Sequence, residues 1–383
     1  MTLKYIMASH KAKNKPLHVA YLDISKAYDT VNHEQMWNIC EQYGIQEQWL
    51  DNLKSMYQGA TLTALTRYGK TEEVEMKRGI RQGCPLSPVL FALYVQPIAE
   101  ALQQKSIEQG TYKHGKPNML FYADDMVLWG QTKKELQEKL QTVVGLMEQL
   151  GLQISTTKTE IQANEFVKEA TDSIAIHTEQ GEKSFKYVPG NQAIRYLGSW
   201  STLDLQDKEG VEKLQAKVKQ RLKRISNLRA TPHTKMMLLK ARVLSVINYT
   251  AATQTLPGAI MDEWEKEIYR IMTKGHGKLR RDLVYEVDTK GGMNMTHVKE
   301  EYKVNRLRGL TQMVEGQSRQ EGRGQIPWIQ KKVLKDLGRA EPYLPVVGEM
   351  QEILTKGMNM EIEPDRGTQP TDNNRKRCRK VDI

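Results

Sequence analysis

Two acidic places stand out by context. Asp23 closes the apolar β-rich run LHVAYL (17–22). Asp124 and Asp125 sit between two short apolar runs in MLFYADDMVLW (119–129). A carboxylate at the mouth of a buried strand is costly unless something compensates its charge. Mg²⁺ compensates it well, because the ion favours one or two carboxylates completed by substrate phosphates. If the two strands lie side by side, Asp23 and Asp124 meet despite the gap in sequence. Two Mg²⁺ held ~3.5–4 Å apart would then clamp an in-line phosphoryl displacement. One ion would activate the attacking hydroxyl, and the other would hold the triphosphate and stabilise the leaving pyrophosphate. The plain alternative is that Asp-Asp marks an ordinary hairpin turn, where Asp is common. The ordered features around the pair argue against that alternative.

The elements that must position these acids can be read in turn. Residues 17–22 predict a strand, and a helical pattern follows from His33 to Tyr57. RGIRQGCPLSP (78–88) is turn-rich, and Ser87-Pro88 suits an N-cap and first helical position before the apolar VLFALYVQPIAEAL. The Ala123-Asp124-Asp125 tip between β-type runs predicts a hairpin. Thr132 and Glu135 fit a capping box, Leu136, Leu140, Val143, Met147 and Leu150 share one helix face, and Gly151 ends it. Strand, helices, hairpin, helix and short strand in that order predict an α+β domain, with helices packed on one face of an antiparallel sheet.

After Gly198 the texture changes, and residues 203–273 read as mostly helical. Leu214, Val218, Leu222, Ile225 and Leu228 fall on one face, while Lys213, Lys217, Lys219, Arg221, Lys223 and Arg224 cover the rest. Phosphates of a nucleic-acid duplex would lie along such a surface; a solvated face is the bland alternative. The same-sign bias favours binding, with Lys213, Lys217, Arg221 and Arg224 as candidates. From about Lys356 the chain reads as a flexible tail ending in RKRCRK (375–380). That tail is either a nuclear import signal or nucleic-acid patch, or a basic end with no role.

The chain has 383 residues, 57 Lys plus Arg against 46 Asp plus Glu, and a formal charge of +11, which favours a polyanionic partner. No stretch approaches the ~20 apolar residues of a membrane span, and Met1 to Lys15 lacks the apolar core of a secretory signal. Cys40, Cys84 and Cys378 lie far apart and exclude a disulfide framework and Cys-based zinc spacing. The eight histidines are scattered. An intracellular chain is expected.

LDISKAYDTV (22–31), RGIRQGCPLSPVLF (78–91), FYADD (121–125), GLQISTTKTEI (151–161) and YLG (196–198) together resemble the successive palm motifs of reverse transcriptases. The wording is nearest the non-LTR, LINE-type enzymes. The likeness covers about residues 3–200. To about Arg308, including LPGAIMDEWEKEIYRIMTKG and Gly291-Gly292, the chain resembles that family's thumb more loosely. The resemblance implies a palm with partial fingers over 1–200 and a helical thumb over 201–310. A helical extension (311–355) and the basic tail (356–383) would follow.

Residue by residue, Asp23 and Asp124 match the metal ligands and Asp125 the acidic neighbour that completes the signature. Tyr28 matches the bulky residue under the incoming sugar, which would exclude a 2′-hydroxyl; a core aromatic is its other reading. Gln82 and Gly83 match the pair against the nascent base pair. Arg78 and Arg81 flank that loop and would touch template phosphates or simply be solvated. Lys158 matches the lysine near the triphosphate, and the family often has Asn where Ser155 stands. Tyr196, Leu197 and Gly198 resemble the primer grip.

The implied activity is RNA-directed DNA polymerisation from a primer 3′-end, with an RNA template, a DNA primer, deoxynucleoside triphosphates and two Mg²⁺, Mn²⁺ being the alternative ion. Family members carry fingers segments, and usually an endonuclease, before the first palm motif, so a piece of a longer retrotransposon polyprotein is expected. Two other readings are an idle remnant that binds RNA or DNA and, less well matched by the thumb, an intron-encoded maturase.

Overall fold

The run from His18 to Asp23 forms a strand because alternate residues have apolar surroundings on both sides. Ala20 and Leu22 face the helices, and Val19 and Tyr21 are buried on the opposite side. The computed structural model describes residues 2–108, 117, 119–168, 172–179, 181–206, 208–251, 253–274, 281–286, 292–315, 347–348 and 350–352. The chain divides into two compact units, one over Asn14–Gly190 and one that joins Met1–Lys13 to Asn191–Ile383.

In chain order the elements are α1 (Thr2–Lys11), β1 (His18–Asp23), α2 (Ala27–Thr30), α3 (His33–Gln42), α4 (Glu47–Tyr57), β2 (Thr61–Leu62), β3 (Leu65–Thr66), β4 (Gly69–Lys70), β5 (Val74–Glu75), α5 (Ser87–Glu108), β6 (Met119–Tyr122), β7 (Asp125–Gly130), α6 (Lys133–Gln149), β8 (Glu160–Ala163), β9 (Ser173–Thr178) and β10 (Gly181–Val188). Then follow β11 (Ile194–Tyr196), β12 (Ser199–Ser201), α7 (Lys208–Ser226), α8 (Pro232–Leu239), a π-helical turn (Lys240–Leu244), α9 (Ser245–Ala251), α10 (Gly258–Thr273), α11 (Arg281–Tyr285) and α12 (Val298–Glu315).

The Asn14–Gly190 unit is α+β, as its element order predicts. Its sheet runs β6-β7-β1-β8-β10-β9. Neighbours are antiparallel except β8 and β10, which run parallel because the β9–β10 hairpin returns with its second strand inward. Leu136, Leu140, Val143, Val144 and Met147 of α6 pack with Leu22, Met126, Leu128, Ile161, Ile174 and Phe185 from the sheet and with Phe91, Tyr94 and Ile98 from α5. Each such fully buried side chain contributes roughly 1.5–3 kcal/mol.

The capping box closes as predicted: Thr132 Oγ1 accepts from Glu135 N at 3.1 Å and Glu135 Oε2 accepts from Gln131 N at 2.8 Å. Gly151, at φ +70°, ends the helix. Leu150 is the C-cap residue and only partly buried, and it packs against the same core as the rest of the face. The region from His33 to Tyr57 is two helices rather than one, separated at Gly44, whose φ is +80°.

The other unit is helical. Val218, Leu222, Ile225, Trp264, Ile268 and Tyr302 lie in one core. Leu228 does not join it: α7 ends at Ser226, and Leu228 is 46% exposed. Residues 2–11 form the helix α1. Lys4 and Lys11 of this helix donate to Thr253 O and Asp204 O at 2.6 Å each. The basic segment 375–380, Cys378, Gly291 and most of 311–355 lie outside the described residues.

Candidate active site

The strand register brings the acids together. β1 and β7 pair so that Asp23 stands opposite Asp125, and Tyr122 pairs with Asp125 in the hairpin. Asp125 is therefore the first residue of β7, and the turn proper is Ala123-Asp124. Directly opposed residues share a face, so Asp23 and Asp125 project from the side of the sheet away from Leu22, Met126 and Leu128. Of the two turn residues only Ala123 has positive φ, +53°. A positive φ at this position of a two-residue hairpin turn is ordinarily left to glycine. Alanine in this conformation stores about 1–2 kcal/mol, at the residue that aims Asp124.

The environment of Asp23 is tuned by the stretch that ends at β8. Ser155 N donates to Asp23 O at 2.9 Å, and Asp23 N lies 3.4 Å from Thr159 Oγ1. Lys158 Nζ is 3.3 Å from Asp23 Oδ2, an ion-pair distance without hydrogen-bond geometry. Oδ2 itself is shielded from solvent and accepts no hydrogen bond. Ser155, where the family often has Asn, makes the local turn with its hydroxyl, which accepts from Lys158 N at 3.3 Å.

Tyr28 follows Lys26, a left-handed residue (φ 50°, ψ 43°) that turns the chain out of β1 into α2. Its ring stacks on Phe91 at 5.1 Å, nearly parallel. It is only partly buried, so it is neither a plain core aromatic nor a free side chain. Burial, and then the nearby Asp124 carboxylate, push its hydroxyl above the usual tyrosine range.

The turn-rich loop hangs on α2. Ile80 N donates to Tyr28 O at 2.7 Å, Gly79 N to Val31 O at 2.8 Å, and Gln82 Nε2 to Asp29 Oδ1 at 3.2 Å. The sequence reading missed Gly79 and Asp29. A Cβ on Gly79 (φ +89°) would lie 3.0 Å from the Asp29 backbone, whereas Gly83 (φ +86°) opens onto free space. The close approach that glycine permits is thus at Gly79. Arg81 is exposed but tethered: it donates to Met56 O at 2.7 Å and covers the Tyr57 ring at 5.6 Å. Arg78 is exposed. Ser87 is no N-cap acceptor; its hydroxyl donates back to Arg81 O at 2.6 Å.

The remaining candidates belong to the helical unit. Tyr196 ends β11 opposite Ser199, Leu197 and Gly198 form the β11–β12 turn with φ +47° and +75°, and Tyr249 Oη donates to Leu197 O. On α7, Lys213 pairs with Glu209 at 2.6 Å and lies 3.8 Å over the Trp200 ring. Arg221 donates to Arg242 O. Burial, then Arg221 and Arg195, hold Lys217 below the usual lysine range. Arg224 is exposed.

Among the described residues no three His, Cys, Asp or Glu side chains gather as a complete metal cage. The shielded, unbonded Oδ2 of Asp23, the opposed Asp125 and the lysine beside them instead fit an ion held by few carboxylates and completed by phosphates.

The reverse transcriptase (RNA-dependent DNA polymerase) family model matches residues 2–200. The Pol polyprotein of the retrotransposable element R2DM from Drosophila melanogaster is 29% identical over 159 residues, 41% of this chain and 15% of that protein. The transposon TX1 149 kDa protein of Xenopus laevis is 31% identical over 132 residues, 33% of this chain and 10% of that protein. The matched stretch spans 10% to 26% of the length of these and the related R2 proteins. Among solved structures, Candida tropicalis telomerase in complex with a fragment of telomeric RNA is similar over 86% of this chain and 51% of that one, at 11% identity and a TM-score of 0.38. The sequence motifs, the placement of Asp23 and Asp125 on adjacent strands of one sheet and the family match over more than half the residues lead to one assignment: the chain belongs to the reverse transcriptase (RNA-dependent DNA polymerase) family, and within it is similar to the non-LTR retrotransposon enzymes.

Proposed function

We propose that the Asn14–Gly190 unit adds deoxynucleotides to a DNA primer 3′-end on an RNA template, with Asp23 and Asp124 as metal ligands and Asp125 supporting them. The observation that carries this reading is the pairing of Asp23 with Asp125 beside the Ala123-Asp124 turn, with Asp23 Oδ2 facing the Lys158 ammonium and accepting no hydrogen bond. Mg²⁺, or Mn²⁺ in its place, would supply Lewis-acid activation of the primer hydroxyl and neutralisation of the phosphates.

The protein's own groups do the rest. Tyr28, braced by Phe91, fills the space under the sugar. Gln82, tied to Asp29, shapes the nucleotide pocket with Gly83. Lys158 Nζ neutralises Asp23 before substrate arrives and then donates a proton to the leaving pyrophosphate. In the helical unit the β11–β12 turn would hold the primer end, and Lys213, Lys217, Arg221 and Arg224 would hold duplex phosphates. The natural context would be a longer retrotransposon polyprotein that supplies fingers and endonuclease segments.

Extension of oligo(dT) on poly(rA) with Mg²⁺, with and without a supplied N-terminal fingers segment, tests this. The expected result is that Asp124→Ala abolishes extension and leaves nucleic-acid binding largely intact. Unchanged extension in that variant would remove the assignment. No signal from the native chain in either condition would favour the idle binding remnant.

A further inference from the structure

Between α4 and the Gln82 loop the chain rises in a nested hairpin. Thr61 and Leu62 pair with Glu75 and Val74, and further out Leu65 and Thr66 pair with Lys70 and Gly69. Its base is anchored beside the nucleotide loop: Met76 N donates to Ala60 O at 2.8 Å, and Arg81 reaches back to Met56 O at 2.7 Å. At its tip stand Arg67 and Tyr68. The turn is held by the Thr66 hydroxyl, which donates to Gly69 O at 2.9 Å and accepts from Tyr68 N at 3.1 Å. Tyr68 is 84% exposed, and the Arg67 guanidinium lies 4.6 Å above its ring.

An aromatic ring held out in water is costly unless a partner covers it. The chemistry around it selects the partner. Of the three acids of the hairpin, Glu75 lies 3.8 Å from Lys77 and Glu73 accepts from the Thr61 hydroxyl at 3.2 Å near its base, and the exposed Glu72 forms no ion pair with the tip cations among the described residues. The tip cations Arg67 and Lys70 have no acidic partner among the described residues. The tip thus offers a π-face, a guanidinium plane and positive charge, which are the elements that hold an unpaired base and its phosphate. A purely apolar protein partner would leave both cations uncompensated.

We propose that Tyr68 and Arg67 form a stacking platform for one unpaired base of a single-stranded RNA, the template ahead of the nucleotide loop. The identification of the strand as template rests on the proposed function; the binding itself does not. Fluorescence anisotropy of the full chain with an unstructured RNA of about 15 nucleotides, and with the same sequence as a duplex, tests it.

Tyr68→Ala is expected to lose roughly tenfold in single-strand affinity, Tyr68→Phe and Tyr68→Trp to retain it, and the duplex to change less than about twofold. Arg67→Ala is expected to weaken single-strand binding and reduce its salt dependence. The exposed side chains leave the fold undisturbed, which circular dichroism checks. Single-strand affinity of Tyr68→Ala within about twofold of native, or equal loss on the duplex, overturns the platform. So does a wild-type dimer that Tyr68→Ala dissociates without changing RNA affinity, since the tip would then contact a second copy. Asp124→Ala is expected to leave this binding intact, so failure of the catalytic assignment and failure of the platform are read separately.

Discussion

The two compact units present their functional charge in different ways. In Asn14–Gly190, like charges are drawn together by backbone register: Asp23 opposite Asp125, with Asp124 on the adjoining turn. The backbone hydrogen bonds of a buried sheet hold them there, and among the described residues only Lys158 makes an ion pair with Asp23. In the helical unit the cations lie along α7, and side-chain choices decide what each does. Lys213 is engaged by Glu209 and Trp200 and Arg221 by Arg242 O, while Lys217 faces Arg221 and Arg195. Charge concentrated by a sheet has little freedom and suits a site that must bind ions at fixed positions. Charge spread along a helix is adjustable and suits a backbone of any sequence.

If this contrast is right, single substitutions in the sheet site have effects far larger than those on the helix. Asp23→Asn keeps the size of the side chain but removes its charge. It is expected to lower primer extension by at least roughly 10³-fold, measured as single-turnover rate. A loss below about tenfold would place Asp23 outside the chemistry. Tyr28→Ala opens the space over Phe91. It is expected to raise ribonucleotide incorporation relative to deoxynucleotide by roughly 10–100-fold, while an unchanged ratio would return Tyr28 to a packing role.

Backbone strain gives the next size of effect. Gly79→Ala, strained in φ and pressed on Asp29, is expected to destabilise the chain by about 2–3 kcal/mol. Gly83→Ala, strained in φ alone, is expected to cost about 1 kcal/mol. Thermal unfolding compares them, and equal costs would dismiss the close approach at Gly79.

The two hairpins sharpen the contrast between units. Ala123→Gly relieves an exposed left-handed residue and is expected to raise stability by under about 1 kcal/mol. Leu197→Gly gives up a half-buried side chain as well and is expected to lower it. On α7, Lys217→Gln is expected to weaken duplex binding with a salt slope shallower by about one. Because Lys217 titrates below the usual lysine range, its protonated form is disfavoured by folding. The substitution should therefore raise stability slightly at neutral pH, and the gain should fade as pH rises through the lysine range.

The acids, the capping box, the buried helices and the sheet were legible because each leaves a local mark: an apolar run, a spacing or a motif. What escaped was set by distant backbone. Nothing around Gly79 announces that the Asp29 backbone will lie against it, and the plain pairing of Arg81 with Met56 O depends on where α4 ends. Leu228 fitted the helical spacing but lay beyond the last turn of α7. The Ser155 hydroxyl accepts from Lys158 N and so closes the local turn with a side chain that favours turns.

The central claim is that Asp23 and Asp124 share bound divalent ions. Electron paramagnetic resonance of Mn²⁺ bound to the full chain, with a primer lacking its 3′-hydroxyl, template and the matching nucleotide, tests it most directly. The account predicts a spin-coupled pair of ions in the native chain, lost in both Asp23→Asn and Asp124→Asn. An undiminished coupled signal in either variant would contradict it.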